Sequence, residues 1–104
     1  MRLDCKRSGT TLIARLTGEL DQHSAEGVRK ELDRLISDPK VERIVFDLND
    51  LEFMDSAGIG VILGRYRRIS RRGGSFCVVN ARGGVEKLLR ISGVYSLCGE
   101  RGGK

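Results

Sequence analysis

The chain has 104 residues, of which 39% are hydrophobic and 32% are charged, and its formal net charge is +5. It is the length of one small domain, and no run approaches the roughly 18 apolar residues of a membrane span. The N-terminus lacks the apolar core of a signal peptide, and the three cysteines include no C-x-x-C pair. We therefore expect a cytoplasmic, single-domain protein with reduced thiols, no metal site and no membrane segment.

The charge is unevenly distributed along the chain. Residues 1–64 carry a formal −3 and residues 65–104 a formal +8. Five arginines lie in the last turns of a predicted helix: Arg65, Arg67, Arg68, Arg71 and Arg72. Cations there complement the helix dipole, and no aromatic platform or nucleic-acid-binding motif accompanies them. We expect a solvated helix end and no direct contact with nucleic acid.

The first predicted elements are a β-hairpin and a helix. Residues 3–16 alternate between apolar and polar side chains on either side of a tight-turn signal at Ser8-Gly9. Residues 25–36 carry a helical apolar stripe, and either Asp21 or Ser24 is placed to cap this helix. Pro39 prevents the helix from continuing.

The second half alternates between strands and helices. Residues 44–48 are a near-continuous apolar run, typical of a strand covered on both faces, and Asn49-Asp50 predicts a turn. A long helix then ends at Gly73-Gly74, residues 76–79 form another strand, and a short helix from residue 85 closes at Gly93. Residues 98–104 have no pattern and are expected to fray.

The resulting order is β-β-α-β-α-β-α. Strands that alternate with helices predict right-handed crossovers and a mainly parallel sheet, to which the hairpin adds one antiparallel pair. We therefore predict an α/β fold, with one domain over residues 1–97. Its mixed, mostly parallel sheet should have four or five strands, an N-terminal antiparallel hairpin and packed helices.

The start of the long helix is the most informative segment. Asp55 and Ser56 precede its apolar stripe, and both are favoured N-cap types, so the Ser56 hydroxyl should lie at a helix N-terminus. Ala57, Val61 and Gly64, together with Gly60, form a face of small residues. Glycine costs a helix about 1 kcal/mol relative to alanine. We therefore expect another backbone close to this face, either the sheet below it or a partner above it. We also predict that the helix packs on the sheet through Ala57, Val61 and Gly64.

The motifs do not indicate an enzyme. Ser56 is not in a G-x-S-x-G elbow, because Met54 stands where the first glycine is needed, and the only histidine, His23, is distant in sequence. The glycines that follow complete neither a dinucleotide-binding nor a Walker A motif.

Three carboxylates at predicted strand ends, Asp21, Asp47 and Asp55, could in principle hold a metal ion. Acids at these positions also serve solubility and helix capping. We favour the structural interpretation.

Residues 55–66, DSAGIGVILGRY, closely resemble the signature of STAS domains, and in particular of bacterial anti-sigma-factor antagonists. The segments LTGELD at residues 16–21 and LLRISGVY at residues 88–95 agree in the same order and spacing. The similarity runs from about Leu12 to Tyr95. Within the family, the chain looks most like the sporulation members that act on the anti-sigma F factor.

The resemblance implies a role for specific residues. In this family the serine at the position of Ser56 is phosphorylated by the anti-sigma factor, which is itself a kinase. Many members carry a second hydroxyl at the next position, whereas Ala57 leaves Ser56 as the only acceptor in the motif. Glu19 and Asp21 match the family's Gly-Glu-Leu-Asp segment and are assigned to a partner-facing rim, although plain solvation would also explain Glu19. A helix-capping role for Ser56 is compatible with phosphorylation.

We therefore expect a binding module switched by phosphorylation, with no cofactor. The unphosphorylated form would bind the anti-sigma factor and free the sigma factor, phosphorylation of Ser56 would inactivate it, and a separate phosphatase would reset it. The expected partner-binding residues are Glu19, Asp21, Asp55, Ser56, Ala57, Gly58, Ile59 and Gly60. The alternative is a STAS scaffold subunit, or a sensor of a small ligand or nucleotide, in a larger signalling assembly.

Overall fold

The computed structural model describes residues 1–98, and its chain opens with the predicted antiparallel hairpin. Strand β1 (Arg2–Ser8) pairs with strand β2 (Thr11–Leu20), and Gly9 takes up a positive φ of 62° in the turn between them. A side chain at this φ would be strained, so glycine suits the turn. Most of the tail that we expected to fray, residues 99–104, lies outside the described residues.

The remaining elements within residues 1–98 are three helices, three strands and a short 3-10 turn. They are α1 (Ala25–Ile36), β3 (Arg43–Asp47), β4 (Leu51–Met54), α2 (Ser56–Ser70), β5 (Ser75–Val79), α3 (Gly83–Ser92) and a 3-10 turn over Val94–Leu97. Strand β2 pairs in parallel with β3 and β4, and β3 pairs in parallel with β5. The sheet of five strands is therefore mixed and mostly parallel, which confirms the predicted α/β fold.

Strand β4 is an element that the sequence pattern did not predict. Residues 11–15 of β2 pair with β3, and residues 18–20 of the same strand pair with β4. Strand β4 therefore continues along β2 beyond the end of β3, after the predicted turn at Asn49-Asp50. With only four residues, β4 is too short to show a clear apolar alternation.

The core lies between the helices and one face of the sheet. Leu12, Ala14 and Leu16 of β2 are fully buried, as are Ile44 and Phe46 of β3. The other side chains of β3 are only half-buried, so the prediction that this strand is covered on both faces is wrong. Within residues 1–98, no helix is long and apolar enough to cross a membrane.

Helix α2 does not pack through the glycine that we predicted. A Cβ added at Gly60 or Gly64 would meet no neighbouring atom within 4 Å, whereas one added at Gly58 would lie 2.5 Å from Met54 Cγ and 2.8 Å from the Leu20 carbonyl oxygen. The close approach between α2 and the sheet therefore occurs at Gly58. Val61 is buried as expected, but the prediction of a contact at Gly64 is wrong.

Arg65 is the second correction on α2, because it does not belong to the solvated helix end. Only 6% of Arg65 is exposed, and its Nε lies 3.0 Å from Asp33 Oδ1 on α1. The two groups form an ion pair without a hydrogen bond between them. Ile62 and Ile69, three residues before and four after, are fully buried. This spacing places Arg65 on the inward face of the helix.

The other arginines of the cluster have different environments. Arg68 lies 3.3 Å from Asp33 Oδ1, and Arg72 donates a hydrogen bond of 2.9 Å to the carbonyl of Val41. Arg67 and Arg71 are exposed. The basic segment thus contributes to packing between elements as well as to surface charge.

Candidate functional site

The N-terminus of α2 is capped by Asp55. Its backbone is extended, with φ −117° and ψ −168°, and its Oδ1 accepts hydrogen bonds from the backbone N–H groups of Ala57 at 2.9 Å and Gly58 at 3.3 Å. The carboxylate therefore satisfies two amides that have no partner within the helix.

Ser56 is consequently the first residue of the helix and not its cap. The residue is exposed, and its hydroxyl forms no hydrogen bond with any part of the chain that the structure describes. The capping role that we considered for Ser56 is performed by its neighbour. An exposed hydroxyl on a fixed helix turn is accessible to a modifying enzyme.

The parallel strands β2 and β4 bring two acidic segments to the same edge of the sheet. Leu20 and Met54 are opposite each other in the register, and the N–H of Asp55 donates to the carbonyl of Leu20 at 3.3 Å. Asp21 and Asp55, which follow these strands, therefore lie along one edge. Glu19 precedes Leu20 on the same strand and is exposed. The structure thus brings the residues taken from the resemblance together.

Asp21 also organises the connection from β2 to α1. Its Oδ1 accepts hydrogen bonds from the N–H groups of His23 at 2.9 Å and Ser24 at 3.1 Å. Partial desolvation raises the pKa of Asp21, but these two bonds, the nearby imidazole of His23 and the hydroxyl of Ser24 together hold it below the usual value. Asp21 is therefore held ionised, in a defined position on the rim.

The three carboxylates that we considered as metal ligands accept hydrogen bonds from protein groups instead. Asp47 accepts hydrogen bonds from the N–H of Asn49 and the side chain of Asn80, each at 3.1 Å, and it forms an ion pair with Arg15 at 3.3 Å. Asp21 and Asp55 bond to backbone amides, as described above. Among residues 1–98, no group of three histidine, cysteine or acidic side chains could hold a metal ion.

The other expected partner-binding residues divide between surface and interior. Gly60 is exposed and Ala57 is half-buried, whereas Gly58 is buried and Ile59 is only 8% exposed. Gly58 and Ile59 hold α2 against the core, while Ser56 and Gly60, four residues apart, are adjacent on its outer surface.

Sequence reasoning missed one feature of this edge, which is a bulge in β4. Leu51 is opposite Gly18 and Phe53 is opposite the next residue, Glu19, so Glu52 is an extra residue in β4. Phe53 is 48% exposed. Leu51 and Met54 are both apolar but are three residues apart, with Phe53 between them. This break in the two-residue alternation of a strand was a signal of the bulge.

An open concavity of about 410 Å³ lies beside the bulge. It is lined by Met1, Gly18, Glu19, Asp21, His23, Ser24 and Glu52. Three of these residues carry carboxylates, and the N-terminal ammonium of Met1 opposes them with a single positive charge. The edge of the sheet near Ser56 is therefore acidic.

The sequence of residues 2–98 matches the family model of the STAS domain. The chain is also 40% identical, over 97 residues, to the anti-sigma F factor antagonist of Paenibacillus polymyxa. This match covers 93% of the present chain and 83% of that relative.

Two solved structures of the anti-sigma factor antagonist SpoIIAA have the same fold. Its unphosphorylated form is 30% identical with a TM-score of 0.74, over 86% of the present chain and 83% of that one. The phosphorylated form, from Bacillus, is 31% identical with a TM-score of 0.75, over 89% and 85% of the two chains. The family model, the curated relative and both solved structures indicate the same family, and the protein belongs to the STAS domain family.

Proposed function

We propose that this protein is an anti-sigma-factor antagonist whose binding surface is switched by phosphorylation of Ser56. The observation that carries the proposal is the exposed Ser56 hydroxyl, which no described residue binds, on the first turn of α2. Relatives named as anti-sigma factor antagonists support the proposal, as does the SpoIIAA structure in a phosphorylated form. We therefore also propose that the protein acts in the cytoplasm, together with the regulator of a sigma factor.

In the unphosphorylated state, the anti-sigma factor binds over the start of α2 and the adjoining sheet edge. Ser56, Ala57 and Gly60 form the helical part of this surface, and Asp55, Glu19 and Asp21 form the acidic part. Open space over Gly60 and Gly64 lets a partner's backbone approach α2 closely. Gly58 and Ile59 position this surface from beneath. Binding of the antagonist releases the sigma factor.

The same contact presents Ser56 to the kinase activity of the anti-sigma factor. The Ser56 oxygen attacks the γ-phosphorus of ATP, the bond from that phosphorus to the ADP oxygen breaks, and the hydroxyl proton passes to a base on the kinase. ADP and phosphoserine are the products. A separate phosphatase hydrolyses the phosphoserine, which restores the hydroxyl and releases inorganic phosphate.

The phosphate acts on the contact rather than on the fold. It adds a charge of about −1.5 to −2 next to the Asp55 carboxylate. The amides of Ala57 and Gly58 already bond to Asp55, so they are not free to neutralise it. Repulsion and the desolvation cost of burying this charge against the partner therefore drive dissociation.

The test uses the anti-sigma F factor of Paenibacillus polymyxa as the probe, because a relative from that organism is named for this partner. Titration calorimetry should show binding to the wild-type protein. With ATP and Mg²⁺, mass spectrometry should show one added phosphate on Ser56 and none on the Ser56→Ala variant. Absence of both binding and phosphate transfer would contradict the proposal and favour a scaffold or sensor role.

A further inference from the structure

The bulge in β4 determines which way Phe53 points. In a regular strand, Leu51 and Met54 are an odd number of residues apart and would face opposite sides of the sheet. Both are buried, at 2% and 6% exposure. The extra residue, Glu52, lets both enter the core and turns Phe53 outward, opposite Glu19. Bulges commonly re-aim a side chain next to a functional site.

Phe53 is therefore an aromatic side chain held outward among carboxylates. It is one of three large hydrophobic residues that are exposed within residues 1–98, the others being Met1 and Ile91. Glu52 precedes it in sequence and Glu19 is opposite it in the register, while Asp55 follows two residues later. A partner surface complementary to this one would have an apolar pocket for the phenyl ring and basic side chains around it.

The short separation between Phe53 and Ser56 indicates which partner covers this surface. Phe53 is three residues from Ser56, and three residues span at most roughly 10 Å. A standard interface buries about 800 Å² on each partner, equivalent to a disc of about 16 Å radius. A kinase that brings ATP to the Ser56 oxygen must cover Ser56, and a disc of that size centred there reaches Phe53.

We propose that Phe53 is an anchor for the anti-sigma factor, inserting into an apolar pocket with lysine or arginine residues at its margin. The inference rests on the proposed function and adds to it a residue outside the family motif and the chemistry of the partner's pocket. Aromatic residues are enriched at the cores of interfaces, where a few side chains carry most of the affinity. The acidic neighbours accelerate association with a basic surface.

The first experiment compares the Phe53→Ala and Ile91→Ala variants, which each remove one exposed apolar side chain. With the anti-sigma F factor of Paenibacillus polymyxa as the probe, Phe53→Ala should weaken binding about 30-fold, mainly through faster dissociation. Phosphorylation of Ser56 should show a higher KM for the variant and an unchanged kcat, because the hydroxyl itself is intact. Ile91→Ala should bind like the wild type.

A second measurement does not depend on how well Phe53→Ala folds. The photoreactive p-benzoylphenylalanine in place of Phe53 should cross-link to the anti-sigma factor, and the same group in place of Ile91 should not. Addition of salt should slow association of the wild type, and the Glu19→Gln and Glu52→Gln variants should reduce this sensitivity.

The outcomes separate the inference from the proposed function. If the wild type binds and is phosphorylated, but Phe53→Ala binds within twofold of it and position 53 gives no cross-link, the anchor is wrong and the proposed function stands. If the wild type neither binds nor accepts phosphate, the proposed function fails and the anchor fails with it. Weak binding by Phe53→Ala together with a cross-link at position 53 supports the anchor.

Discussion

Asp55 and Ser56 are neighbours in sequence but have different roles at the start of α2. The carboxylate of Asp55 holds the first turn through two backbone amides, and the hydroxyl of Ser56 remains unbonded among the described residues. Separation of these roles allows Ser56 to be modified without removal of the helix cap. A switch at this position can therefore act without a change of fold.

Variants of Ser56 test this mechanism directly. Ser56→Asp places a charge at the helix N-terminus, where the dipole favours it but Asp55 repels it, so we expect a stability change within roughly 0.5 kcal/mol. The variant should nevertheless bind the anti-sigma factor poorly. Ser56→Ala should remain bound, because no phosphate can be added. Thermal unfolding and binding titrations measure the two effects, and a loss of several degrees by Ser56→Asp would indicate refolding instead.

Within helix α2, packing requires a glycine at position 58 but not at positions 60 and 64. Gly58 lies against Met54 and the carbonyl of Leu20, whereas Gly60 and Gly64 have open space. Glycine lowers helix stability, so its presence at two open positions has no explanation within the domain. The proposed approach of a partner's backbone provides one.

A matched pair of alanine variants distinguishes these glycines. Gly58→Ala should destabilise the protein by about 1–3 kcal/mol, because its Cβ overlaps atoms that cannot move freely. Gly60→Ala should stabilise it by roughly 0.5–1 kcal/mol through helix propensity. Chemical denaturation measures both. If Gly60→Ala gains stability and loses affinity for the anti-sigma factor, Gly60 lies in the interface; equal destabilisation by both variants would contradict the packing described here.

The contact between α1 and α2 includes the ion pair of Asp33 with Arg65. Asp33→Leu should cost about 3 kcal/mol or more, because it leaves the buried guanidinium without its counter-charge. The double variant Asp33→Leu/Arg65→Met should recover much of this loss, since it replaces both charges with apolar groups. Urea unfolding of the single and double variants measures the difference. A double variant no more stable than Asp33→Leu would show that the pair contributes little.

The raised pKa of the Cys5 thiol leads to a prediction about the stability of the whole protein at alkaline pH. Burial, and then the nearby carboxylates of Glu31 and Asp4, raise the pKa of Cys5 from 9.0 to about 11. Above pH 9 the unfolded chain ionises this thiol first, so the free energy of unfolding should fall as the pH rises from 9 to 11. Cys5→Ala should reduce this slope in denaturation curves, and an unchanged slope would exclude Cys5 as its cause.

Local patterns in the sequence predicted the hairpin, the three helices, strands β3 and β5 and the family, but not strand β4. These properties depend on local patterns: the alternation in residues 3–16, the helical stripe of α1 and the glycine signals at the ends of α2 and α3. The DSAGIG motif and its two companion segments predicted the STAS family, and the family model and relatives confirm it. The assignment of Ser56 as a phosphorylation site remains a prediction.

Which of several similar residues has each role depends on contacts that form only when the chain folds. Both Asp55 and Ser56 could cap a helix, and the path of the chain out of β4 selects Asp55. Any of the glycines in α2 could have met the sheet, and the position of Leu20 selects Gly58. The helical spacing from Ile62 and Ile69 places Arg65 on the inward face of α2, but its ion-pair partner, Asp33, lies on α1 and is found only in the folded structure. Each choice depends on atoms brought close by distant segments, which no local pattern of the sequence records.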